Sequence, residues 1–109
     1  MDDVTPLLAA VDTFADRLRA LPQSRLSRGA AAEALALARE LAAWAQRIEE
    51  PHAAERREMP EAGMFAVADQ VAVAGHDLAE ALVRGGTPVH TGVAEAVAMV
   101  EEAARRCGL

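Results

Sequence analysis

Thr5-Pro6-Leu7-Leu8-Ala9-Ala10-Val11-Asp12-Thr13-Phe14-Ala15-Asp16-Arg17-Leu18-Arg19-Ala20-Leu21-Pro22 is a stripe of apolar side chains closed off by a proline at each end. Leu7, Val11, Phe14, Leu18 and Leu21 recur at alternating steps of four and three, which puts all five on one side of a helix and leaves Asp12, Asp16 and Arg19 on the other. Thr5 is an N-cap residue type, and Pro6 fits the first helical position, where its missing N–H removes no bond. The spacing predicts a helix over about 6–21, buried along one stripe.

The same rhythm recurs three more times. Ala30, Ala34, Leu37, Leu41, Trp44 and Ile48 form a seam over about 27–50 that Pro51 ends. A parallel seam of Ala31, Leu35, Ala38, Ala42 and Ala45 widens that apolar arc, so the helix can touch two neighbours. Residues 51–59 are charged and lack a stripe, which reads as an exposed connection. Pro60 and Glu61 then suit the first turn of a third helix over about 60–84, whose inner face is Met64, Val67, Ala68, Val71, Ala74, Gly75, Leu78 and Leu82. Gly75 falls mid-helix on that buried side, a costly place for glycine unless another backbone crosses close by. Gly85-Gly86 reads as a stop and Thr87-Pro88 as a second start; Val89, Val93, Ala96, Val100, Ala103 and Cys107 then carry a helix over about 88–107 that ends at Gly108.

Four half-apolar helices hide their stripes by packing together. The short links near Pro22–Ser24 and Gly85-Gly86 predict antiparallel neighbours, hence one all-α domain, a four-helix bundle running up-down-up-down over residues 1–109.

Composition agrees with this class. Alanine, the best helix former, supplies about a quarter of the 109 residues; Tyr is absent, Trp occurs once and Phe twice. All 11 basic residues are Arg, and Lys and Asn do not occur, a bias expected of a GC-rich bacterial genome. The net charge of -6 opposes nucleic acid and anionic lipid as partners. The acidic Met1-Asp2-Asp3 start lacks the basic region and apolar run of a secretory signal, and no apolar run is long enough to span a bilayer. With one cysteine, Cys107, and no internal disulfide possible, the expected setting is the cytoplasm.

Little of the chain carries chemistry. Glu49-Glu50-Pro51-His52 has the spacing of a di-iron ligand pair, but proline breaks the helix inside it and no second copy exists. His52, His76 and His90 share no paired spacing that would define zinc, so no metal and no cofactor is implied. Glu101-Glu102 and the Asp12, Asp16 pair sit among arginines on solvated faces, with no Ser or Cys nucleophile in register with a base. The expectation is therefore a noncatalytic helical protein–protein interaction module. Leu35, Phe65 and Val73 are the apolar residues a lone bundle hides least well, which points to a homodimer through those faces. An alanine-lined cavity near Trp44 and Phe14 would be a further place for a small ligand.

His76-Asp77-Leu78-Ala79-Glu80-Ala81-Leu82 resembles the His-Asp/Glu-Leu start of the phosphoacceptor helix in sensor histidine kinases. The resemblance covers seven residues, and the Arg-Thr-Pro that continues the kinase pattern is replaced here by Ala79-Glu80-Ala81. It implies, as the alternative function, a histidine phosphotransfer-type domain in which His76 accepts phosphate and the neighbouring Asp77 takes its proton.

Overall fold

The structure, a computed structural model, describes residues 3–53, 55, 57–85 and 88–109. It holds four long helices: α1 (Thr5–Ala20), α2 (Ala31–Glu49), α3 (Val67–Arg84) and α4 (Val89–Arg106). A short helical turn at Gln23–Arg25 and a stretch Leu26–Ala30 kinked at Gly29 join α1 to α2. No strand is present among the described residues. The all-α four-helix bundle expected from the apolar rhythm is what forms.

The seams close on one core. Leu7, Val11, Phe14 and Leu18 of α1 are buried with Leu37 and Leu41 of α2, Val71, Leu78 and Leu82 of α3, and Val93 and Val100 of α4. Much of the remaining core is alanine, including Ala34, Ala38, Ala74, Ala81, Ala96 and Ala103. Small side chains let the helix axes approach, and the glycines mark where they do so most closely. A Cβ added at Gly75 would lie 2.5 Å from Val11 Cγ2, and one added at Gly92 would lie 2.7 Å from Leu82 Cδ2. The backbone crossing expected at Gly75 is thus a contact between α3 and α1.

The order of helix directions differs from the expected alternation. Arg19 pairs with Asp69 at 2.6 Å and Asp12 with His76 at 2.9 Å, so α1 and α3 are antiparallel. Leu35 and Arg39 share a groove with Val67, whereas Ile48 lies against Gly85, so α2 and α3 run the same way. Arg106 pairs with Glu33, and Trp44 shares a hollow with Met99, so α4 runs back along α2. The bundle is therefore up-down-down-up. α1 packs on α3 and α4, as α2 does, while α1 and α2 occupy opposite corners.

Two connections produce this arrangement. Eight residues from Gln23 to Ala30 carry the chain across the end of the bundle instead of turning it back on α1. Within them Gly29 adopts φ 142°, which only glycine takes up readily, so the straight helix starts at Ala31, later than the expected 27. The second connection leaves α2 after Glu49, and its described residues 57–66 lie along the bundle, so that α3 restarts beside the start of α2. Arg39 holds it by donating from Nε to the Met59 carbonyl at 2.9 Å and pairing with Glu58 at 3.3 Å; Gln70 donates to the Pro60 carbonyl at 2.8 Å.

Pro60 accordingly does not open the third helix. Gly63, at φ 93°, breaks any turn begun there, and helical backbone starts at Val67. Capping differs in detail too. The N–H of Thr5 is satisfied by Asp3, which accepts it at 2.9 Å, so the aspartate supplies the cap expected from the threonine. Hydrogen bonds from the Thr5 side chain and then its backbone hold the Asp3 carboxyl below the usual carboxylate value. Gly85 keeps right-handed geometry, and its lack of a side chain admits Ile48. Gly86 and Thr87, part of the expected stop and restart, lie outside the described residues. At the end of α4 the expected glycine stop is complete: Gly108 has φ 78°, its N–H bonds the Arg105 carbonyl, and Leu109 N–H bonds that of Ala104 at 2.8 Å. This is the Schellman pattern, with Leu109 turned back onto the core.

Candidate functional site

His76 is on the α1 side of α3, its side chain 50% exposed, with Nε2 2.9 Å from Asp12 Oδ1. The pair exists because α1 and α3 are antiparallel and held close by the Gly75–Val11 contact one residue away. Asp12 is itself exposed, so the imidazole has a carboxylate partner without losing access to solvent. The partner is not the one the sequence suggested. Asp77 follows His76 by about 100° of helical rotation and lies on the α2 side, against Ala45 and Gln46. No local pattern announces Asp12, which is sixty-four positions away in the chain.

His52 and His90 are exposed at separate places, in the crossover and on α4. Among the described residues no group of three or more His, Cys, Asp or Glu is placed to hold a metal ion.

The three expected interface residues are not brought together. Phe65 is 76% exposed, just ahead of α3, and Val73 is 58% exposed on the outer face of that helix. Leu35 is half-buried in the groove between α2 and α3, packed on the core beside Met64 and Val67. The parallel course of α2 and α3 and the docked crossover hide it, neither of which periodicity reveals. Val83, 47% exposed, is the apolar residue on the α3 surface that the sequence reading missed. It follows buried Leu82 by about 100° of helical rotation, which turns it out of the core.

Trp44 and Phe14 do not share a cavity. Phe14 is a core residue, and Trp44 is half-buried in a shallow hollow with Met99 and Glu40. The Trp44 indole N–H meets no acceptor among the described residues. Cys107 is buried, its thiol 3.5 Å from the Ala30 carbonyl, and burial pushes its pKa up. It belongs to the core in the last turn of α4.

Gln46 is a polar residue the pattern passed over. It is 7% exposed on α2, and its Nε2 has no hydrogen-bond partner among the described residues. In sequence it sits beside Ala45 at the edge of the alanine seam, and only the docked crossover turns that edge into an interior. A scan against protein-family models, a search of curated proteins and a search of solved structures each return no match to this chain.

Proposed function

We propose that the chain is a small noncatalytic helical interaction module that pairs with a second copy of itself through the outer face of α3. The observation that carries this is the solvent position of Phe65, Val73 and Val83 in a fold that buries its other large aliphatic residues wholly or in part. Val73 and Val83 lie within a quarter-turn of each other on α3, and Phe65 sits just ahead of the helix, about two turns of chain before Val73. A two-fold pairing would bring this face against its own copy and cover all three. The alanine-rich core supports the same reading, since short side chains bury less apolar area per residue than leucine would, and a second copy adds to it.

No described helix is long and apolar enough to cross a membrane. With a net charge of -6, neither nucleic acid nor an anionic bilayer is part of this proposal, and the setting it assumes is the cytoplasm. The test is light scattering on Val73→Glu and Phe65→Glu. Both substitutions fall on exposed positions, so helicity should persist while the measured mass drops. Unchanged mass in both variants would reject this face.

One observation favours a second reading, in which His76 accepts a phosphoryl group. An exposed imidazole with a carboxylate on one nitrogen has the parts that chemistry needs. The N–P bond would form as the donor's O–P bond breaks, with the imidazole proton passing to the carboxylate, a role that falls to Asp12 rather than Asp77. Incubation with acetyl phosphate followed by intact mass measurement decides this: an acid-labile gain of one phosphoryl group, lost in His76→Ala, supports it, and no gain on the wild-type protein ends it.

A further inference from the structure

Where α2, α3 and the crossover meet there is a groove of about 420 Å³. Ala42, Ala45 and Met59 form its apolar surface, and Gln46, Glu49 and Asp77 are polar groups along it. We propose that this groove binds a small organic cation that also carries a hydrogen-bond acceptor, such as an amine bearing an amide or hydroxyl group.

Three observations combine. Gln46 is more than nine-tenths buried and lines the groove, yet its Nε2 has no partner among the described residues. An amide can donate twice and accept twice, and a half-turn of its last torsion exchanges its ends, so it can answer an acceptor that arrives from the groove. The charged rim is unbalanced. Arg57 is engaged by Glu50 at 2.6 Å and also lies in the field of Glu49, and Glu58 is paired with Arg39 at 3.3 Å; neither Glu49 nor Asp77 is within ion-pair distance of a cation among the described residues. That leaves two carboxylates to meet a positive charge. The carboxylates nevertheless form no set that could close around a metal ion among the described residues. A cation larger than a metal ion, with its charge at one end and an acceptor at the other, fits all three. Gln46 and Glu49 are three residues apart on one helix face, so their side chains start about 5–6 Å apart, which sets the span between the ligand's two groups. The volume lies in the range usual for small-molecule sites, where an apolar surface with a few placed polar groups fixes orientation.

The test is a titration of the ¹⁵N-labelled protein with 4-aminobutanamide, read from the Gln46 side-chain NH₂ resonances. Butanamide, which lacks the charge, and butylamine, which lacks the acceptor, serve as controls. Saturable movement of the Gln46 signals is expected, with affinity at least tenfold weaker for each control and for Asp77→Asn, whose exposed site leaves the fold intact. Gln46→Leu should abolish the response of the neighbouring Ala45 and Met59 signals. Stationary Gln46 resonances, equal binding of butanamide, or undiminished affinity in Asp77→Asn would each overturn the proposal.

Discussion

Gly75 of α3 rests directly against the Val11 side chain of α1: a methyl group at position 75 would stand 2.5 Å from Val11 Cγ2 and 2.6 Å from Cγ1. Both neighbours of that methyl are the branches of a stiff, fully buried side chain, so the helices themselves would have to separate. Helix propensity alone would make Gly75→Ala stabilising by about 1 kcal/mol. Overpacking works against it at about 1–3 kcal/mol and should win. Urea denaturation should show a net loss of stability for Gly75→Ala. Pairing it with Val11→Ala should recover part of the loss, since the double variant has room for the methyl; strict additivity of the two changes would contradict this packing.

The side-by-side course of α2 and α3 brings Ile48 to Gly85, with 2.9 Å between Ile48 Cγ2 and a Cβ built at position 85. In an alternating bundle these residues would sit at opposite ends of the two helices, about 25 Å apart along the axis. In a Cys107→Ala background, the pair Ile48→Cys and Gly85→Cys should therefore oxidise to an intramolecular disulfide under mild conditions. A pair at Leu35 and Gly85, placed as alternation would require, should not.

Gln46 is a cost that the bare fold does not recover. Replacing an unpaired buried amide by an apolar group of similar shape removes a desolvation penalty of about 1–3 kcal/mol. Gln46→Leu should raise the urea midpoint of the free protein without changing the denaturant slope. A fall in stability by more than about 1 kcal/mol would mean that the amide is bonded within the fold.

Burial raises the Cys107 thiol above its ordinary value. As pH rises past the unfolded thiol's pKa, the unfolded chain gives up a proton that the folded chain retains. The stabilisation is therefore complete below that pH and is lost as pH climbs through the raised value. Wild-type stability should fall relative to Cys107→Ala as pH rises above about 8.5, the ordinary value of an unfolded thiol. Labelling by a disulfide reagent at pH 8 should proceed at the rate of local opening, far more slowly than for a free thiol. Immediate labelling of the native protein would place the thiol at the surface.

The helices were legible because burial and periodicity are the same fact: Val89, Val93, Ala96, Val100, Ala103 and Cys107 repeat every three or four residues, and all six are in the core. Local pattern says which side of a helix is dry, and it does not say against which neighbour. Hence Gly75 could be identified as a close crossing while its partner, Val11, could not. The direction of α3 was missed for a related reason. Residues 51–59 read correctly as a connection, but whether a connection turns back or crosses over depends on where it docks, and Arg39 reaching Met59 and Glu58 is a tertiary fact. Gly63 gave a signal that Pro60 masked: a glycine in what would be the first turn of a helix argues against the start as strongly as the proline argues for it. At the surface, adjacency in sequence points to Asp77 beside His76, whereas the antiparallel packing of α1 and α3 places Asp12 there. Leu35 is half-buried because the crossover covers it, whereas Val83, on which the apolar rhythm makes no claim, is exposed near the end of α3.

Self-association through the outer face of α3 is tested most directly by sedimentation equilibrium of the wild-type protein over a range of concentrations, alongside Val73→Glu. The wild-type mass should approach twice the 11.5 kDa of the chain as concentration rises, while the variant stays at the mass of one chain. A wild-type protein that remains at the single-chain mass at every concentration would contradict it.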